Sequence, residues 1–155
     1  MESKFLRKIV LTSVVILTCQ SFVQAQSAEP SALSANTLYF DMSLGLLTQV
    51  SINYEYQISS REKVSWYARG GVVAGFLLPY DLPGYGGLAA ATMLTGKKDN
   101  HFELNMGIMV AGNQEGVIPI PLLTVGYRYQ KPEGGFIFRA NGGLAYVGVS
   151  FGHAF

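Results

Sequence analysis

The sequence predicts an all-β fold: an eight-stranded antiparallel up-and-down transmembrane β-barrel behind an N-terminal signal peptide. Three observations carry this expectation. From residue 36 onward, large apolar side chains alternate with small or polar ones, the period of two that places them on opposite faces of a strand. The chain is 49% hydrophobic yet only 14% charged, well under the usual quarter. No apolar run reaches the ~20 residues of a spanning helix, so the apolar surface has to be carried by strands.

Residues 1–25 join a basic start (Lys4, Arg7, Lys8) to an apolar stretch at 9–23 and the small-residue ending Val23-Gln24-Ala25, the layout of a secretory signal peptide. Cleavage is expected after Ala25. A rival reading makes Cys19 the acylated residue of a lipoprotein, but Thr18 stands where a smaller residue is expected. Residues 26–35 are small and polar without period and read as a flexible leader. The barrel is expected to occupy 36–155.

Within it, Leu38, Phe40, Met42, Leu44 and Leu46 share one face of a first strand. The second, at 49–58, sets Val50, Ile52, Tyr54, Tyr56 and Ile58 against Gln49, Ser51, Asn53, Glu55 and Gln57. The polar cluster 59–63 turns the chain. The third strand, about 64–75, opposes Trp66, Ala68 and Val72 to Tyr67, Arg69 and Gly71, and a long connection with two prolines follows at 76–87. The fourth, at 88–95, has little pattern through Ala89-Ala90-Ala91. After a turn at 96–100 come the fifth strand at 102–111 and a loop at 113–118. The sixth at 119–130 ends in the turn Lys131-Pro132-Glu133-Gly134. The seventh sets Phe136, Phe138, Ala140 and Leu144 against Arg139, Asn141 and Gly143, and a very short link leads into the last.

The placement of charge decides what this barrel faces. Soluble barrels of this size hide their apolar face inside. Here Asp41, Glu55, Arg69, Glu103, Arg128 and Arg139 all fall on the polar face, three acidic and three basic, and none falls on the apolar one. A cancelling set of six suits an enclosed interior, where an unpaired ion is costly. A hairpin turn near Glu62 brings Glu55 opposite Arg69, and the later hairpins bring Glu103 near Arg128 and Arg139. An apolar face built of Phe, Tyr, Ile, Leu and Val would aggregate in water. Tyr54, Tyr56, Trp66, Phe102, Tyr127, Tyr129, Phe136 and Phe138 lie on that face near the turns after the second, fourth and sixth strands, the position of an interfacial aromatic girdle.

The chain ends in V-G-V-S-F-G-H-A-F, with Val147, Val149, Phe151, His153 and Phe155 on one face and Gly148, Ser150, Gly152 and Ala154 on the other. This ending resembles the C-terminal strand of bacterial outer-membrane β-barrel proteins, and with the alternation and strand count the segment from about 36 to 155 resembles the small eight-stranded OmpA/OmpX type. The resemblance implies a bacterial outer-membrane location, contact with outer-membrane lipid, and a terminal strand read by the barrel-assembly machinery during biogenesis.

Little else carries chemistry. Without residues 1–25 the chain holds eight basic and nine acidic groups, a balance that argues against a nucleic-acid partner. Its one cysteine, Cys19, is in the signal segment, so no disulfide or thiol chemistry is expected. His101 at a turn and His153 on the apolar face suggest no general base or metal ligand, and no cofactor is expected. Lipid-A deacylases of this size use a His and Ser pair, but Ser150 and His153 sit on opposite faces of one strand. The 76–87 connection, with Tyr80, Asp81 and Tyr85, is the candidate surface loop. The leading expectation is therefore a non-enzymatic barrel with a plugged, salt-bridged interior and a structural or surface-interaction role. A narrow pore for small solutes and a lipid-modifying enzyme stand as the alternatives.

Overall fold

The computed structural model describes residues 33–61, 63–77, 82–113 and 116–155. They form eight strands: β1 (Asn36–Gly45), β2 (Leu47–Arg61), β3 (Val64–Leu77), β4 (Leu82–Lys97), β5 (Asn100–Asn113), β6 (Gly116–Gln130), β7 (Gly135–Gly143) and β8 (Tyr146–Ala154). Each pairs antiparallel with its neighbours in sequence, and β8 returns to β1, so the sheet closes into an up-and-down barrel. Closure removes the unpaired edges that an open sheet would present. At the seam, Asn36 and Phe155 exchange two backbone hydrogen bonds of 3.0 and 2.8 Å. Among the described residues there is no helix.

The three tight turns after β2, β4 and β6 lie at one end, with Asn36 and Phe155; we call it the turn end. The other end, the loop end, carries the remaining four links.

Several strands run further than their side-chain pattern. β2 passes through a bulge between Gln57 and Ser59 and reaches Arg61, where the polar cluster suggested a turn. β3 continues to Leu77 and β4 starts at Leu82, so most of the expected 76–87 connection is strand. β6 starts at Gly116, inside the expected 113–118 loop. The reason is that the ladder is made by the backbone. Pairs such as Val73 with Gly86 and Gly75 with Gly84 keep their register although glycine supplies no contrast between faces. The residues between β3 and β4, including Tyr80 and Asp81, lie outside the described residues, as do the signal segment and all of the leader before Leu33. Tyr85, expected in a surface loop, is instead an outward-facing residue of β4.

The leader's last residues are anchored. Leu33 is buried in a cluster with Tyr67 and Leu94 inside the turn-end mouth. The carbonyl oxygen of Ser34 accepts from Tyr67 Oη at 3.2 Å, and that of Ala35 from the Gln57 amide at 2.7 Å. These contacts hold residues 33–35 at the mouth, where composition alone suggested a loose tail.

Candidate functional site

Alternation turns the barrel inside out relative to a water-soluble one. Thr37, Asn53, Glu55, Thr92, Glu103, Arg128, Gln130, Arg139 and Ser150 are fully enclosed. Leu38, Phe40, Val50, Ile52, Met106, Ile108, Leu123, Val125, Val149 and Phe151 are exposed. Among the described strand side chains every charged one is enclosed except Arg61, which ends β2 beside its turn. The exposed apolar surface circles the barrel, far beyond the few hundred Å² that soluble monomers tolerate.

Inside, the residues stack in layers. The ionic layer is a neutral square of two carboxylates and two guanidinium groups from four strands. Arg128 Nη1 lies 2.6 Å from Glu55 Oε2 and 3.6 Å from Glu103 Oε2. Arg139 Nη1 lies 3.4 Å from Glu55 Oε1. Arg139 also grips Glu103, through Nη2 to Oε1 and through Nε to Oε2 at 2.9 Å. Tyr39 Oη donates to Glu55 Oε1 at 2.8 Å, and the Arg139 guanidinium stacks on the Tyr39 ring at 4.1 Å from its centroid. Four charges that sum to zero, held by hydrogen bonds, make such a layer tolerable away from water.

The remaining two expected members of the network stand outside the square. Glu55 and Arg69 are paired across β2 and β3, the register expected from the hairpin. Their ion pair does not form. Arg69 Nε instead donates to Asn53 Oδ1 at 3.0 Å, and the guanidinium lies 5.5 Å from the Tyr39 ring centroid. Gly71 makes this possible, because a Cβ there would collide with the Asn53 side chain. Asp41 accepts from Ser43 Oγ at 2.7 Å and Ser150 Oγ at 2.6 Å. The reason is geometric: Glu55 reaches across the lumen to β6 and β7, where two guanidinium groups sit on adjacent paired residues, Arg128 and Arg139.

Toward the loop end the interior becomes apolar. Leu47, Val73, Leu88, Met109 and Leu122 form a buried cluster, with Ile120, Ala145 and Tyr146 packed against it. This cap was not anticipated. Its signal is present in the sequence, since Val73, Leu88, Met109 and Leu122 share the inward parity of the charged residues, but they read there as interruptions of a polar face.

Outside, the eight aromatic residues expected in a girdle all face outward near the turn end. Tyr54 Oη donates to Asn36 Oδ1 at 2.6 Å and Tyr127 Oη to Asn100 Oδ1 at 2.5 Å. Both asparagines begin strands at the turn end, so the phenol heads find polar partners there while the rings cover apolar wall. Val147, Val149, Phe151, His153 and Phe155 are all exposed, with Phe138 and Phe151 ring centroids 5.4 Å apart. His101, expected at a turn, is an enclosed residue of β5 with Nε2 3.2 Å from the Gln130 carbonyl oxygen. Ser150 is enclosed and His153 exposed, on opposite faces of β8.

No protein family matches the chain, and no characterised protein or solved structure matches it.

Proposed function

We propose that this protein is an integral outer-membrane β-barrel of the small eight-stranded OmpA/OmpX type, exported by its N-terminal signal, with a sealed lumen and a structural, non-enzymatic role in the envelope. The observation that carries the reading is the sidedness of the wall: among the described strand residues, an apolar exterior whose one charged side chain is Arg61 at the end of β2, around an ionised, hydrogen-bonded interior. Hydrocarbon is the solvent that favours this arrangement. The one-sided aromatic girdle supports the orientation, with the turn end at a headgroup level and the basic residues Arg61, at the end of β2, and Lys63, Lys98 and Lys131, in the turns, beside it. The terminal aromatic strand supports recognition by the barrel-assembly machinery.

The ionic square and the apolar cap support the sealed lumen over the narrow-pore alternative, because a permeating ion would have to break the first and cross the second. Two measurements test the reading. Envelope membranes run unboiled and boiled on a gel should show a heat-dependent mobility shift of the protein in the outer-membrane fraction. Purified protein in a planar bilayer should give no steady conductance; a stable open current would replace the sealed barrel with the pore.

A further inference from the structure

The barrel wall is not equally tall all round. β7 and β8 have nine residues each and β1 has ten, whereas β3 to β6 have 14 to 16. A nine-residue strand is ~30 Å long and, tilted by ~45°, rises ~21 Å. Sixteen residues rise ~37 Å on the same reckoning. The apolar band of a membrane barrel is ~25 Å tall. Measured from the girdle, Phe102 to the end of β5 and Tyr127 to the start of β6 rise ~26 Å and just clear that band, whereas Phe138 to the end of β7 rises ~12 Å and stops within it.

The residues that crown the short side fit that depth. Leu46 forms the one-residue link between β1 and β2 and is 62% exposed. Leu144, in the link between β7 and β8, is 93% exposed. Residues 42–54 and 140–155 contain no Asp, Glu, Lys or Arg, while the opposite end carries Arg61 at the end of β2 and Lys63, Lys98, Asp99, Lys131 and Glu133 in its turns. The apolar exterior therefore continues over this rim without a polar border.

Backbone at membrane depth must have its polar groups satisfied within the protein, and here one hydrogen bond joins the two links and a second closes the β1–β2 link on itself. The Leu47 amide donates to the Ala145 carbonyl oxygen at 3.3 Å, and Thr48 Oγ1 donates to the Gly45 carbonyl oxygen at 3.2 Å. Gly45 has φ +155°, and a Cβ there would stand 2.5 Å from the Ala145 oxygen. Glycine is what lets the two links close on each other.

We infer that the low rim formed by β7, β8 and β1 is a lipid-docking surface, covered by acyl chains of the loop-end leaflet, while the tall side projects beyond them. This rests on the membrane-barrel reading, and the test separates the two. In a Cys19→Ser background, single variants Leu144→Cys, Leu123→Cys and Gly116→Cys are labelled with an environment-sensitive fluorophore. They are folded into phosphatidylcholine vesicles with plain or brominated acyl chains, with a heat-dependent gel shift confirming folding. Position 123 reports the middle of the wall and position 116 the top of the tall side. The expected result is that the probe at 144 is quenched by bromine about as strongly as at 123, and that at 116 only weakly. Leu46→Cys reads the same rim should Leu144→Cys not fold. Strong quenching at 123 with access of aqueous iodide at 144 overturns the inference and leaves the barrel in the membrane. Protection at 144 from both quenchers overturns it in favour of a protein surface, such as a second copy. Absence of bromine quenching at 123 removes the membrane reading and this inference with it.

Discussion

The two halves of the lumen are buried alike and built from opposite chemistry. Near the turn end, Glu55, Glu103, Arg128 and Arg139 fill the lumen by pairing with one another. Near the loop end, Leu47, Val73, Leu88, Met109 and Leu122 fill it by packing. The strands are shared: Arg128 and Leu122 are three turns of the pleat apart on β6 and face the same way. The comparison teaches that one half depends on partners and the other on volume. An ion in the square has a particular counterion, so removing it strands a charge. A side chain in the cap has only neighbours, so shortening it leaves a gap. The halves should therefore fail by different routes and to different extents.

The largest effect is expected from the square. Arg139→Met removes one of the two guanidinium groups that each touch both carboxylates, and leaves two negative groups facing Arg128 alone. Breaking a buried ion pair from one side costs ~3–5 kcal/mol. Urea titration of the folded band on unboiled gels should show that loss. The matched variant Glu103→Gln with Arg139→Met removes one charge of each sign, and should recover more than half of it, as a coupled pair does in a double-mutant cycle. Equal losses for the single and double variants would mean that shape, and not charge balance, holds this half together. Neither variant should conduct, since the cap is untouched.

The cap should respond less in stability, and should admit water without passing ions. Met109→Ala opens a cavity at a fully enclosed position, and such truncations cost ~2–5 kcal/mol. The low end is expected, because Ile120 and Tyr146 stand beside the gap and can lean into it. Truncating Leu122 together with Met109 should allow water into the upper lumen while the square still blocks ions, so bilayer recordings should stay silent. Current should be seen only when the cap truncations are combined with Arg139→Met. Conductance from the cap variants alone would show that the square leaks, and would transfer the seal to the apolar half.

The unequal chemistry of the halves explains how much of the molecule can be read without coordinates. Strand number, closure and sidedness follow from alternation, because a period of two is a local property of each strand. The Glu55 and Arg69 register is local too, set by a hairpin turn. Glu103 meets Arg128 and Arg139 where the later hairpins bring them, but the ion pairs of Glu55 are not local. Glu55 meets Arg128 across 73 positions in sequence and across the width of the barrel, and nothing in the pattern of either strand selects that partner over the adjacent Arg69. The cap was obscured for another reason: apolar residues with inward parity look like lapses in a polar face until five strands bring them to one level. The ends of β3 and β4 were hidden because Gly84, Gly86 and Gly87 offer no difference between faces for a pattern to register.

The smallest expected effect lies outside the lumen and asks whether the two halves are set at different depths. Tyr127 carries its hydroxyl toward Asn100 at the turn end, the half of the barrel that holds the square. Tyr127→Phe removes one exposed hydrogen bond and keeps the ring, a change of ~0.5–1.5 kcal/mol at most. Its sign carries information about the surroundings. At a headgroup boundary the phenol has a polar tip in a polar layer and an apolar body in hydrocarbon, so the substitution should destabilise the folded band slightly in urea. Leu123→Phe, four residues nearer the loop end on the same outward face, provides the control, because a ring without a polar tip should cost nothing at a depth where no polar layer exists. Equal behaviour at 123 and 127 would mean that both positions lie in one medium, and the turn-end half of the barrel would lose its claim to a distinct level.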